Sequence, residues 1–184
     1  MLNNIFSFRN LILLFLVYAM NSCISTRTNG FSRGVNSLYE TFFVGEFGTQ
    51  YFIKPIEFVG VDNSDKINLD FTFRYKDSIK DTITINFSIK SKKLFKDLDI
   101  IEIFNIDKKI KSKELKLMYN DKYNKLFISR FTSSFSLEEI YTMFSNENWT
   151  ISLLKGIDKY RFKSSKKSRK AIKKLNENIF FVLK

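Results

Sequence analysis

The sequence predicts an α+β fold, in which a single antiparallel β-rich domain forms a sandwich or a curled sheet and carries two short helices late in the chain. Residues 67–75 and 83–89 each alternate apolar with polar side chains, and a short polar segment separates them. A period of two is typical of half-buried strands, so the pair predicts a hairpin. Two later segments repeat their apolar residues at helical spacing instead. Residues 38–184 have the length of one ordinary domain.

Further strands are predicted on both sides of this hairpin. Residues 51–59 are expected to form a strand that Pro55 places at a sheet edge or a bulge, because proline has no N–H to donate. Residues 98–104 are densely apolar and are expected to form a central strand. Residues 115–119 and 126–128 are expected to pair, with their turn at the polar residues 120–122.

The first helix is predicted from its start. Ser136 followed three residues later by Glu139 matches a capping box, and Phe135 and Ile140 match a hydrophobic staple. Apolar residues at helical spacing then continue to about Asn146.

The C-terminal part is expected to add a hairpin, a helix and a last strand. Residues 149–153 and 160–162 alternate on either side of a turn at Lys155–Gly156. A second helix is predicted from Lys166 to Asn176, capped by Ser164 or Ser165. Residues 179–183 are expected to close the sheet as a short strand.

Positive charge is concentrated at the C-terminus. Residues 155–184 contain eleven lysines and arginines and only two acidic residues, in a chain whose net charge is +12. At 100° per residue, the apolar side chains of the second helix fall on one side and six cations fall on the other. The cations are Lys166, Lys167, Arg169, Lys170, Lys173 and Lys174.

This cationic face has three interpretations. It is the solvated outer side of a docked helix, a binding face for polyanionic glycans, lipid headgroups or nucleic acid, or a contact with an anionic membrane surface. Lysine outnumbers arginine, which favours a field of point charges over recognition of one defined group. Nothing in the chain resembles a nucleic-acid-binding motif, so no nucleic acid is expected.

Composition excludes most familiar enzyme chemistry. The chain has no histidine, one cysteine and six scattered glycines. Imidazole-based triads, the usual zinc ligands and glycine-rich phosphate loops are therefore missing from the sequence. We expect no cofactor, no metal and no catalytic residue. The alternative is an enzyme acting on cell-wall glycans through carboxylates, for which Asp97 and Asp99, two residues apart, are expected to share one strand face.

The N-terminus has the pattern of a secretory signal. Arg9 precedes the apolar run 11–19, and Asn21 and Ser22 lead to Cys23. The run is about half as long as the roughly 20 apolar residues that span a bilayer. A signal peptide over residues 1–22 is therefore favoured over a membrane-spanning anchor.

Residues 20–23, Met-Asn-Ser-Cys, resemble a relaxed form of the lipobox of bacterial lipoproteins. The resemblance implies that the sulfur of Cys23 is acylated and that the mature chain begins there, anchored in the cell envelope, with the outer membrane favoured. Acylation also explains a lone cysteine in an exported chain, although an unlipidated secreted protein is the alternative. Residues 23–37 are rich in Gly, Ser, Thr and Asn and predict a flexible tether with a reach of about 20 Å.

The sequence thus predicts an envelope lipoprotein held by an acyl anchor at Cys23. We expect a non-enzymatic binding or structural module, whose partners are the membrane and a polyanionic glycan, a lipid headgroup or an envelope protein.

Overall fold

Ten antiparallel strands join into one sheet that curls into a half-barrel. The computed structural model describes residues 38–76 and 82–183, so the predicted signal peptide and tether lie outside the described residues. The strands are β1 (Tyr39–Phe43), β2 (Thr49–Gly60), β3 (Lys66–Tyr75), β4 (Thr82–Ser91), β5 (Ile100–Phe104), β6 (Lys109–Lys111), β7 (Leu115–Tyr123), β8 (Leu126–Ser136), β9 (Thr150–Lys155) and β10 (Asp158–Ser164). The helices are α1 (Leu137–Met143) and α2 (Lys166–Leu175). A short 3-10 turn, Gly45–Phe47, and a π-helical turn, Asn176–Phe180, complete the elements.

The strand order is β6-β5-β9-β10-β2-β3-β4-β8-β7, with β1 also paired to β2. Strands account for 56% of the residues and helices for 18%, so the antiparallel β-rich α+β prediction is confirmed. Of the two architectures left open by the sequence, the structure has the curled sheet.

The alternation in β3 and β4 sorts their side chains onto two faces, as predicted. Phe71 of β3 lies opposite Ile85 of β4, and both are fully buried. Their neighbours Asp70 and Asn86 lie opposite each other on the outer face, where they remain partly accessible. Burying a large apolar side chain contributes about 1.5–3 kcal/mol, so this alternation fixes which face of the sheet turns inward.

The predicted irregularity at Pro55 is a bulge. The register between β2 and β3 shifts between Ile53 and Ile56. On its other edge, β2 pairs with β1 from Thr49 as far as Ile53, and with β10 only from Phe58 onwards. Pro55 therefore lies where the edge of β2 changes partners, a position that requires no N–H from it.

The N-terminus of α2 fills the gap between those two partners. Ser165 caps the helix by accepting a hydrogen bond from the backbone N–H of Ser168, at 3.2 Å. The Ser168 hydroxyl in turn donates to the carbonyl oxygen of Glu57 in the gap. Ser168 is buried, and its hydroxyl replaces the hydrogen-bond donor that a neighbouring strand would provide at this unpaired part of the β2 edge.

The capping box of α1 is confirmed. The Ser136 hydroxyl accepts from the backbone N–H of Glu139, and the Glu139 carboxylate accepts from the backbone N–H of Ser136, each at 3.1 Å. The helix ends at Met143, earlier than the predicted Asn146. The indole N–H of Trp149 donates to the carbonyl oxygens of Met143 and Asn146 at this end, at 2.9 and 2.7 Å.

Aromatic rings link the sheet to both helical segments. The Trp149 ring packs against Phe58 of β2, Phe71 of β3 and Phe144 at the end of α1. Phe144 stacks on Phe180 with ring centroids 3.8 Å apart. All five side chains are essentially inaccessible, so they form the centre of the core.

Two strand predictions were wrong in position. β5 begins at Ile100 and has only the short β6 between it and one edge of the sheet, so it is not central. β7 continues to Tyr123, and the turn falls at Asn124, whose φ is +56°. Residues 120–122 pair with β8 instead. Because nearly all of β7 is exposed on both faces, its polar residues do not mark a turn.

The predicted last strand was also wrong. The chain continues from α2 into the π-helical turn, and two consecutive side chains, Ile179 and Phe180, are buried there. Successive residues of a strand point to opposite faces, so a strand at the rim of one sheet could not bury both in the same core.

We expect Ser168→Ala to destabilise the domain by about 1–3 kcal/mol, because the Glu57 carbonyl then loses its partner in a buried site. Urea unfolding followed by the fluorescence of Trp149, the chain's single tryptophan, measures this. Ser134→Ala on the exposed face of β8 is the matched control and should unfold like the parent chain. Equal stability of the two variants would contradict the role given to Ser168.

Candidate functional site

The second helix presents one buried and one cationic side. Ser168, Ile172 and Leu175 follow one another at spacings of four and three residues, and all are buried against the sheet. This spacing keeps them on one face of a helix. The predicted extent and capping are confirmed to within a residue, since α2 runs from Lys166 to Leu175 after the N-cap Ser165.

All six predicted cations lie on the other side of α2 and are exposed: Lys166, Lys167, Arg169, Lys170, Lys173 and Lys174. Within the described ranges, no acidic side chain forms a salt bridge with any of them. Arg169 donates to the neutral side-chain oxygen of Asn148, at 3.3 Å. The helix therefore carries its charge without neutralisation by the described part of the chain.

Nearby cations on the sheet differ from those of the helix. Lys155 of β9 lies 3.6 Å from the carboxylate of Asp97, and Lys159 of β10 lies 3.6 Å from that of Glu102. These two lysines belong to the same basic C-terminal segment, yet they have acidic partners. Arg161 and Lys163 of β10 also form no salt bridge with a described residue, but the six cations of α2 are the largest group on any one described element.

The arrangement of charge on α2 is unfavourable to the isolated helix. Lys166 and Lys170, like Lys170 and Lys174, are four residues apart, and like charges at this spacing repel. Lys166 and Lys167 lie in the first turn, which contains no acidic residue, at the positive end of the helix dipole. A polyanion along this face would relieve both effects.

The carboxylates singled out in the sequence do not form a pair. Asp97 and Asp99 precede β5 in an irregular segment, so the expectation that they share a strand face was wrong. Asp97 is largely exposed and pairs with Lys155. The Asp99 carboxylate accepts from the backbone N–H of Gly156, at 2.7 Å, and so supports the β9–β10 turn, where Gly156 has a φ of +55°.

Glu102 is the one acidic side chain that is buried among the described residues. It borders an open depression of about 400 Å³ at the β5–β6 turn, and its carboxylate lies 2.7 Å from Lys109 and 3.6 Å from Lys159. Burial raises the pKa of the Glu102 carboxyl, but the hydrogen bonds and charges of these lysines lower it more, so the net pKa is below the ordinary glutamate value. A general acid needs the opposite shift.

Sequence reasoning missed Glu102. It lies between Ile101 and Ile103, and alternation places it on the outer face of β5. That position alone predicts an exposed carboxylate. Its burial depends on Lys109 and Lys159, which reach it from β6 and β10, and no spacing along the chain signals that meeting.

Cys23, the predicted acylation site, lies outside the described residues. In residues 38–76 and 82–183, no three histidine, cysteine, aspartate or glutamate side chains come together as metal ligands. No helix in these ranges is long and apolar enough to span a bilayer.

The chain significantly matches no protein-family model and no curated protein, and its fold significantly matches no solved structure.

The lowered pKa of Glu102 predicts a pH-dependent contribution to stability. A carboxyl whose pKa is lower in the folded state stabilises the fold above its unfolded-state pKa of about 4.3, and this is lost as the pH falls through the lower folded-state value. We therefore expect Glu102→Gln to reduce the free energy of unfolding at pH 7, with the difference shrinking below about pH 4. Urea unfolding across this pH range measures the effect.

Glu114→Gln is the control, because the salt bridge of Glu114 with Lys116 is two-thirds exposed on both sides. Such surface pairs contribute about 0–1 kcal/mol, so little change is expected. A Glu102→Gln deficit that is the same at about pH 3 and pH 7 would show that packing, not charge, stabilises this site.

Proposed function

We propose that this protein is a bacterial envelope lipoprotein, anchored by an acylated Cys23, whose domain is a non-enzymatic module that binds polyanions through the cationic face of α2. The anchor is supported by the apolar run 11–19 and by the lipobox-like residues 20–23. Two or three acyl chains, at about 0.8 kcal/mol per buried CH₂, would hold the protein at a membrane without a spanning segment. The outer membrane is the favoured location.

The observation that carries the binding function is the exposure of six cations that have no acidic partner in the described part of the chain. An anion bound here displaces no salt bridge of the described residues. It also reduces the repulsion between lysines that are one helical turn apart. Both effects favour binding of a polymer or surface that carries several negative charges.

The chemistry of the face favours closely spaced phosphate or sulfate groups. Five of the six cations are lysines, whose ammonium groups act as strongly hydrated point charges, whereas arginine suits bidentate recognition. Binding is therefore expected to depend on charge density and salt rather than on one ligand geometry. Anionic envelope glycans and lipid headgroups share this chemistry.

The non-enzymatic part of the proposal is supported by the carboxylates. Asp97 and Asp99 each serve a structural contact, and two lysines hold Glu102 in its charged form. A retaining or inverting glycosidase requires two carboxyl groups about 5–9 Å apart across a substrate cleft, one of them with a raised pKa. Glu102 has the reverse shift.

We expect the purified chain to bind heparin resin, and the change of Lys166, Lys167, Lys170 and Lys174 to Gln to abolish retention at about 0.15 M salt. The matched control changes four exposed lysines along β7 and its flanks, Lys113, Lys116, Lys122 and Lys125, to Gln. It removes equal charge and should retain most of the binding. Equal loss of retention in both variants would show that the net charge of the chain alone accounts for heparin binding, and would refute a site on α2.

Two further measurements belong to this experiment. The α2 variant should unfold at about the same urea concentration as the parent chain, because it relieves repulsion between lysines one helical turn apart while losing the favourable interaction of Lys174 with the helix dipole. Sedimentation with vesicles of phosphatidylcholine, alone or with phosphatidylglycerol, measures binding to anionic lipid headgroups. Retention on a phosphorylated glycan measures binding to glycans. Comparing the two shows which source of negative charge α2 prefers.

We expect the mature protein from a bacterial envelope to begin at Cys23 and to carry acyl groups. Mass spectrometry of the N-terminal peptide measures this directly, and Cys23→Ser should release the protein from the membrane fraction. An unmodified cysteine, or a chain that still begins at Met1, would contradict the anchor.

A further inference from the structure

The five most exposed phenylalanines of the described residues lie at one end of the sheet. Four belong to the β1–β2 hairpin, and Phe181 follows the π-helical turn together with the exposed Val182. We call this set the aromatic end: Phe42, Phe43, Phe47, Phe52, Phe181 and Val182. Phe43 is 80% exposed, Phe181 68% and Phe47 62%, so folding of the domain does not account for these rings.

Register in the sheet brings the two parts of the aromatic end together. Thr49, where the hairpin enters β2, pairs with Tyr75 at the end of β3. The Tyr75 hydroxyl donates to the carbonyl oxygen of Leu183, at 3.1 Å, and so fixes the chain just after Val182. The C-terminal segment therefore lies beside the hairpin tip.

The hairpin tip is a hydrogen-bonded turn of defined geometry. Its turn is closed by the backbone N–H of Val44, which donates to the carbonyl oxygen of Gly48 at 2.8 Å. Gly48 has a φ of +84°, and a Cβ there would lie 2.2 Å from the carbonyl oxygen of Tyr75, so only glycine fits. Phe42 and Phe52 pack edge to face on the outer side, with ring centroids 5.6 Å apart.

We propose that the aromatic end contacts the surface of a phospholipid bilayer, with its rings among the lipid headgroups. This inference rests on the proposed function, because the choice of a membrane as the binding partner depends on the predicted acyl anchor that precedes β1 in the chain. The predicted tether, residues 23–37, would reach about 20 Å as a coil, and β1 begins two residues after it. An anchor at Cys23 would therefore keep the hairpin near the membrane that holds the acyl chains.

The composition of the aromatic end fits this occupant. Exposed apolar groups of this kind mark interaction sites on protein surfaces, and phenylalanine is one of the residues that segments lying in a membrane interface bury at the boundary between headgroups and acyl chains. The Arg74 guanidinium lies 5.7 Å from the centre of the Phe47 ring, where it can meet an anionic headgroup while the ring enters the interface. Glu46 also lies in the tip, and its charge limits insertion to headgroup depth.

The cationic face of α2 is joined to the aromatic end by the C-terminal segment. The last turn of α2 continues through the π-helical turn into Phe181 and Val182, so Lys173 and Lys174 lie on the helical turn nearest the aromatic end along the chain. Each basic residue near an anionic leaflet adds to membrane attraction. Rings at the sheet end and cations on α2 would then contact one bilayer.

The test places a fluorescent probe at the aromatic end of the full chain. Phe43→Trp is compared with Ile157→Trp, whose site is fully exposed in the β9–β10 turn at the opposite end of β2. Each purified chain is reconstituted into phosphatidylcholine–phosphatidylglycerol vesicles that contain bromine-labelled acyl chains. Trp149 is buried and common to both, and the parent chain gives its background.

We expect bromolipid to quench the indole introduced by Phe43→Trp at least about threefold more than the indole introduced by Ile157→Trp, because only the first lies among the lipids. Blue-shifted emission is expected for the Phe43→Trp chain alone.

Vesicle flotation and the mass of the Cys23 peptide report the anchor separately. A chain that floats while the two introduced indoles are quenched equally would overturn this inference and leave the anchor intact. An unacylated Phe43→Trp chain whose introduced indole is still quenched would support this inference and refute the anchor.

A second copy of the chain is the competing occupant. Sedimentation of the parent chain as a dimer that Phe43→Asp converts to a monomer, with Ile157→Asp without effect, would assign the aromatic end to self-association and overturn the membrane contact. A monomeric parent chain together with selective quenching in the Phe43→Trp chain would support it.

Discussion

The packing of Trp149 is the contact on which the rest of the domain depends. Its ring touches Phe58 and Phe71 of the sheet, and its N–H closes the end of α1 through two backbone carbonyls. Phe144 connects the same ring to Phe180, and thus to the C-terminal segment. A half-barrel sheet leaves its concave face open, and these contacts hold the covering segments there. The position of the C-terminal segment around Phe180 follows from this cluster.

The break in the edge of β2 determines where the cationic helix sits. Because the bulge at Pro55 separates β1 from β10, part of the β2 edge has no strand partner, and Ser168 satisfies the carbonyl of Glu57 there. Ser168 shares the buried side of α2 with Ile172 and Leu175, so anchoring this side turns the lysines outward. The outward direction of the cationic face is therefore a consequence of how the sheet edge is completed.

Two surfaces of different chemistry are the basis for proposing that this domain is more than a passive spacer. The cationic face offers charge without partners in the described residues, and the aromatic end offers rings that the core does not use. A protein tethered at Cys23 would meet its membrane at high effective concentration, so each surface needs only modest affinity. Charge would supply attraction that weakens with salt, and the rings would supply contact that salt does not screen.

The sequence by itself determined the features that depend on neighbours along the chain. These local features are the alternation in β3 and β4, the capping box of Ser136 and Glu139 and the two-sided pattern of α2, because a strand or helix repeats its geometry every few residues. At Pro55 the sequence left a sheet edge or a bulge open, and the structure has the bulge. Tertiary structure alone decided the position of β5, the length of β7, the burial of Glu102 and the hydrogen bond from Tyr75 to the C-terminal segment. Each of these depends on segments distant in sequence, such as Lys109 and Lys159 around Glu102 or Tyr75 holding Leu183, and such contacts leave no period in the chain that joins them.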